Sequence, residues 1–138
     1  VQYTTGAQLA WDLTLDWVKE RRMFGKPLGA FQNTRFKLAE LRAQIDAAQV
    51  FVDTLVTEHL QGKLSADLAA EAKLLTSELE FRTADECLQL FGGAGYMEEY
   101  RISRCFTDAR VSRIYAGASE VMKEIISRGF GLDERKLT

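Results

Sequence analysis

The sequence predicts an all-α fold, an up-and-down four-helix bundle with additional short helices. Three observations carry this. Pro27 is the only proline, so little interrupts helical segments. β-Branched residues nowhere alternate over a strand-length run. Thr34, Leu38, Leu41, Ile45, Ala48, Val52 and Leu55 follow one another at spacings of four and three, the seam of a long helix packed nearly parallel to its neighbours. At 138 residues, 46% apolar and 28% charged, the chain has the make-up of one soluble globular domain.

The first helix is expected from about Thr5 to Arg22. Leu9, Leu13 and Trp17 make one stripe and Trp11, Leu15 and Val18 a second, leaving Gln8, Asp12 and Asp16 as the polar face. "FGKPLGAFQ", residues 24–32, then turns the chain, because Gly25, Pro27 and Gly29 prevent the helix from continuing. The long second helix ends near Gly62. Ser65 is a good N-cap for the third, whose Leu68, Ala72, Leu75 and Leu79 stripe extends toward Leu90 and stops at Gly92-Gly93. A shorter helix over Arg101 to Arg110 and a last one from Ser119 to Arg128, with Gly129 and Gly131 beyond it, complete the bundle. A helical pattern already runs within a few residues of Val1, as expected of a fragment of a longer parent.

Charge and composition narrow the function. Lys and Arg total 18 against 20 for Asp and Glu, a net charge of −2, with no basic run suited to nucleic acid or an anionic membrane. No apolar stretch of spanning length appears. Cys87 and Cys105 lack metal or redox spacing and read as small buried thiols. His59, the only histidine, reads as a surface residue, and no metal site is expected. The adjacent acids Glu98 and Glu99 suit a helix entrance better than paired acid–base chemistry.

Three clusters admit both a structural and a ligand-binding reading. Gly92, Gly93 and Gly95 can terminate a helix, or let backbone N–H groups approach phosphate oxygens. Arg21 and Arg22 suit a helix C-terminus, yet Arg21, Phe24 and Gln32 around a Gly/Pro-rich turn can also meet a phosphate, an adenine face and a ribose. In "IYAGASE", residues 114–120, Ser119 and Glu120 read as an N-cap and a first-turn acid, while Ala116, Gly117 and Ala118 leave room for a thin ligand.

Together these stretches resemble the acyl-CoA dehydrogenase family, specifically its C-terminal helical domain, and the match runs through essentially the whole chain. "RRMFGKPLGAFQ" is similar to the family's Arg-x-x-Phe-Gly-Lys turn followed by Phe-Gln. "QLFGGAGY" is similar to its Gln-x-Phe-Gly-Gly-x-Gly-Tyr turn, "FTDAR" to its Arg-Asp-Ala-Arg/Lys segment and "IYAGASE" to its Tyr-x-Gly-Thr-x-Glu/Gln turn, all in family order. The resemblance implies an FAD enzyme that converts an acyl-CoA thioester to a trans-2-enoyl-CoA. By it, Arg21, Phe24, Gln32, Gln89, Leu90, Phe91, Gly92 and Gly93 contact the ADP half of an FAD held mainly by a neighbouring subunit. Tyr115, Ala116 and Gly117 line the thioester slot, and Ala118, Ser119 and Glu120 meet the flavin of their own subunit. It further implies a homo-oligomer, dimer or tetramer, with electron-transfer flavoprotein as electron acceptor. The compartment is the cytoplasm for a bacterial parent and the mitochondrial matrix for a eukaryotic one.

Two positions depart from the family pattern. Ala116 stands where many members have the catalytic glutamate, and a methyl group accepts no proton. In other branches, the isovaleryl and long-chain enzymes among them, the glutamate comes from earlier in the helix that here starts the chain, which puts the base before Val1 and leaves no catalytic residue in these 138 residues. Ala118 replaces a threonine and removes one hydroxyl bond to the flavin. The N-terminal helical and middle β domains are expected in the parent, so the chain alone is expected to be inactive. Alternatives are a base-free partner subunit of a heteromer, an oxidase or monooxygenase on the same scaffold, and a helical interaction module.

Overall fold

The computed structural model describes residues 1–137. Six α-helices are present among them: α1 (Gln2–Glu20), α2 (Gln32–Leu60), α3 (Ala66–Phe91), α4 (Arg101–Ser112), α5 (Ser119–Gly129) and the short α6 (Glu134–Leu137). The predicted all-α class and bundle are what is found. α3 is the central element, packed against α1, α2, α4 and α5, while α4 also meets α1. Two 3₁₀ turns, Leu28–Ala30 and Gly92–Tyr96, join the bundle helices at one end.

The second helix buries the whole predicted seam, from Thr34 to Leu55. In α1 and α3 the deepest residues are smaller than expected. α1 buries Thr4, Ala7, Ala10, Thr14 and Val18, and α3 buries Ala70, Thr76, Ser77, Leu79, Thr83, Ala84, Cys87 and Phe91. Leu75, expected in the seam, is 47% exposed. The reason is proximity: these two helices share the most extensive contact of the bundle, and close approach of helical backbones leaves room only for short side chains. Thr14 and Thr76 satisfy their hydroxyls by donating to the carbonyls of Ala10 and Ala72, at 2.7 and 2.6 Å. Large side chains fill the flanks, with Leu41, Phe91 and Ile102 of one cluster flanked by Trp11, Leu13, Trp17 and Cys105.

Local signals hold at most helix ends. Ser65 accepts a hydrogen bond from Leu68 N at 3.4 Å as the N-cap of α3. Ser119, by contrast, is the first residue of α5, and Ala118 occupies the N-cap without a side-chain bond. A two-residue antiparallel pair, β1 (Arg22–Met23) with β2 (Lys26–Pro27), stands where only a turn was expected, too short for any alternation to register. Cys87 is buried and Cys105 partly buried, both as free thiols. No helix among the described residues is long and apolar enough to cross a membrane.

Candidate functional site

The sequence-predicted residues gather into two turns at the two ends of α1. At its C-terminal end, Arg21 is the C-cap and its guanidinium lies 5.9 Å from the Trp17 ring centroid. Trp17 stacks on Phe91 at 4.6 Å and 10° between planes, meets Tyr100 edge-on at 5.6 Å, and donates its indole N–H to Leu90 O at 3.3 Å. One tryptophan therefore ties Arg21 to the "QLFGG" turn. An Arg four residues after a Trp on one helix face was the signal for it. Phe24 tips the hairpin at φ 50 with 89% of its surface exposed, 6.3 Å and edge-on from Phe31, whose ring carries Lys26 at 4.3 Å. Gln32 and Gln89 are exposed.

The glycine-rich turn divides in two. A Cβ placed on Gly92 or Gly93 would meet nothing within 4 Å, so both backbones face open space. A Cβ on Gly95 would sit 2.7 Å from Leu88 O, so that glycine permits the turn to pack on α3 and is not part of a ligand cradle. Phe91 requires a correction of the same kind. Its ring is buried between Trp17 and Tyr100, which leaves only main chain at this position to face a ligand. An exposed guanidinium, an exposed aromatic ring and an open diglycine backbone suit a nucleotide diphosphate.

At the other end of α1, Gln2 donates its side-chain N–H to the Tyr115 hydroxyl at 3.0 Å. Tyr3 neighbours Tyr115, and burial, followed by Tyr115 and Glu80, pushes the Tyr3 phenol above its ordinary value. Ala116 follows at φ 53. Among the described residues it and Phe24 are the non-glycine positions with positive φ, and each stands at the tip of one of the two turns. Strain of this kind costs about 1–3 kcal/mol and is kept where the surroundings over-determine the conformation. Gly117 has φ 97, and a Cβ there would lie 2.5 Å from Met122 Cε; its space is filled from within by Met122. The room left for a ligand lies over exposed Ala116.

An ionic network that sequence reasoning missed fixes this turn to α3. Ser119, 4% exposed, donates its hydroxyl to Glu78 Oε1 at 2.7 Å, and Arg113 Nε lies 2.8 Å from Glu78 Oε2. Burial pushes the Glu78 carboxyl up, but the bond from Ser119 and the ion pair with Arg113, with the charge of Lys123, outweigh it and hold the group below its ordinary value. Ser119 N–H donates to Arg113 O at 3.1 Å, closing the loop over residues 113–119. Both donors of Ser119 are thereby used inside the chain, while Glu120 in the first turn of α5 is exposed. No cluster of three or more His, Cys, Asp or Glu side chains suited to a metal occurs among the described residues.

The helical domain thus carries two exposed turns at the ends of α1, one with the open Gly92–Gly93 backbone and one with positive φ at Ala116. The chain matches the acyl-CoA dehydrogenase C-terminal domain over residues 1–131, and it belongs to the acyl-CoA dehydrogenase family. It is similar to the mitochondrial long-chain specific acyl-CoA dehydrogenase of Sus scrofa, 41% identical over 124 residues that cover 90% of this chain and 29% of the relative. Among solved structures it resembles the acyl-CoA dehydrogenase from Geobacillus kaustophilus, with a TM-score of 0.92 and 43% identity over 94% of this chain and 34% of that one. It also resembles a structure described as the FAD complex of PigA, with a TM-score of 0.87 and 29% identity over 94% of this chain and 34% of that one. The chain spans about a third of the length of these proteins.

Proposed function

We propose that the parent protein is an FAD-dependent acyl-CoA dehydrogenase in which this domain presents two half-sites, one at each end of α1. The observation that carries the reading is the distance between the turns. The 19 residues of α1 separate them by about 28 Å at 1.5 Å per residue, so they serve two cofactor sites rather than one pocket. Arg21, Phe24, Gln32, Gln89 and the main chain of Leu90 to Gly93 reach the ADP half of an FAD held by a neighbouring subunit. Ala118 and Glu120 line the flavin of their own subunit while Ser119 anchors the start of α5 beneath them, and Tyr115, Ala116 and the main chain of Gly117 line the thioester. The chemistry supplied by FAD at such a site is acceptance of two electrons during α,β-dehydrogenation.

The chain's own residues bind and orient. Arg21 neutralises phosphate charge, Trp17 holds Arg21 and the Leu90 carbonyl in register, and the Glu78–Ser119–Arg113 network fixes the thioester turn. Ala116 holds no proton, so the α-proton passes to a carboxylate upstream of Val1. One further turn N-terminal to Gln2 rises about 5.4 Å, and Gln2 already touches Tyr115. An oligomer follows from the shared cofactor, and exposed Phe24, Phe36 and Tyr96, at 89, 63 and 84%, suit such an interface. Electron-transfer flavoprotein is the proposed electron acceptor.

The test is thioester-dependent flavin reduction by the full-length protein with a panel of acyl-CoAs, before and after Ala116→Glu. Activity in the unmodified protein, lost on removing an upstream glutamate, supports the moved base. Silence across the panel, with turnover appearing only after Ala116→Glu, favours a base-free subunit instead. Arg21→Ala is expected to weaken FAD retention through dialysis with the fold intact, and unchanged flavin content overturns that assignment.

A further inference from the structure

We propose that the carboxyl group of Glu80, in its protonated form, is a positioning group for the thioester turn, holding the start of α1 and with it the Tyr3–Tyr115 hydroxyl pair. The inference rests on the dehydrogenase reading for its functional readout, and the geometry stands apart from it. Glu80 projects from α3 into the seam with α1. A Cβ on Gly6 would fall 2.0 Å from Glu80 Oε1, so Gly6 is kept free of a side chain by this carboxyl and the two helices close around it.

Oε2 of Glu80 is buried without a hydrogen-bond partner, and a buried carboxylate oxygen in that state is costly. The Ser112 hydroxyl beside the same carboxyl favours the ionised form, but it also lies 2.7 Å from Ala109 O, to which it donates, and burial outweighs its support. Tyr3 from α1 and Asp108 from α4 also face the carboxyl, neither a cation, and the Asp108 charge favours its protonated form. Burial is the largest influence on the group and raises its affinity for a proton.

The functional consequence runs through Tyr3. Tyr3 lies beside Tyr115 and within the influence of Glu80, and Gln2 donates to the same Tyr115 hydroxyl at 3.0 Å. Ionisation of Glu80 in the seam at Gly6 would push the first turn of α1 off α3 and shift both contacts to Tyr115.

The experiment uses the full-length flavoprotein with Glu80→Gln, which keeps the shape of the protonated acid, and Glu80→Ala, which removes it. Glu80→Ala is expected to raise KM for the acyl-CoA by about fivefold, the equivalent of one ordinary hydrogen bond, with kcat less affected, and Glu80→Gln to stay within about twofold of the unmodified protein. KM of the unmodified protein is expected to climb with rising pH while that of Glu80→Gln stays flat. Independently of turnover, the melting temperature of Glu80→Gln is expected to match the unmodified protein at low pH and to exceed it increasingly as pH rises. Unaltered KM in Glu80→Ala, or melting curves that run parallel across pH, overturn the proposal. If the unmodified protein reduces no flavin with any thioester, the dehydrogenase reading fails. The melting curves then decide on Glu80 alone, a widening gap supporting a buried acid and parallel curves rejecting it.

Discussion

Replacing Trp17 probes the link between packing and the nucleotide end of the domain. Its indole makes four interactions: the stack on Phe91 at 4.6 Å, the edge contact to Tyr100 at 5.6 Å, the bond to Leu90 O at 3.3 Å and the support of Arg21 at 5.9 Å. Trp17→Phe keeps an aromatic stack but removes the N–H, and is expected to cost about 0.5–1.5 kcal/mol. Trp17→Ala removes ring and bond together and is expected to cost about 3–5 kcal/mol. The assay is native-state hydrogen exchange on the full-length protein across residues 12–22 and 86–97. At about 1.4 kcal/mol per tenfold, Trp17→Ala should speed exchange there by two to three orders of magnitude, and Trp17→Phe by about tenfold or less. FAD retention should fall in the same order, because the Leu90–Gly93 turn loosens with the ring. Exchange within threefold of the unmodified protein in Trp17→Ala, or accelerated exchange with FAD retention untouched, would refute the coupling of this ring to the turn.

Gly117→Ala places a β-carbon at φ 97 and 2.5 Å from Met122 Cε; the backbone strain and a displaced Met122 rotamer should together cost about 2–3 kcal/mol, read in thermal unfolding, and Met122→Ala in the same chain should return only part of it. Glu78 is held below its ordinary value in the folded state, so its stabilising contribution is present above the unfolded-state carboxylate range and is lost as pH falls through the lower folded value; the stability deficit of Glu78→Gln should therefore shrink on acidification, and a deficit constant with pH would contradict the network. Burial pushes the Cys87 thiol up to about 11, so an aromatic disulfide reagent at pH 8 should leave Cys87 unmodified in the native protein and label it only on unfolding.

The element order and the α2 seam were legible in the sequence because both are local. Helical period, caps and turn residues act over a few positions, and a helix buried along one face shows that face as a regular stripe. Three of the four motifs, around Gly25, Gly92 and Gly117, were legible for the same reason, each being a short glycine-bearing turn, while the fourth lies within α4. What the sequence could not separate was the cause of each small residue. Ala7, Ala10 and Ala84, fully buried, are small because α1 and α3 approach closely, and Gly95 and Gly117 are small because Leu88 and Met122 occupy their space. Gly92 and Gly93 are the glycines of the motif that open outward. The roles of Trp17, Glu78 and Glu80 likewise depend on partners 73, 41 and 74 residues away in the chain, at Leu90, Ser119 and Gly6. A side chain's hydrogen-bond partner or burial across such separations is set by how helices pack in three dimensions, and no local pattern encodes it.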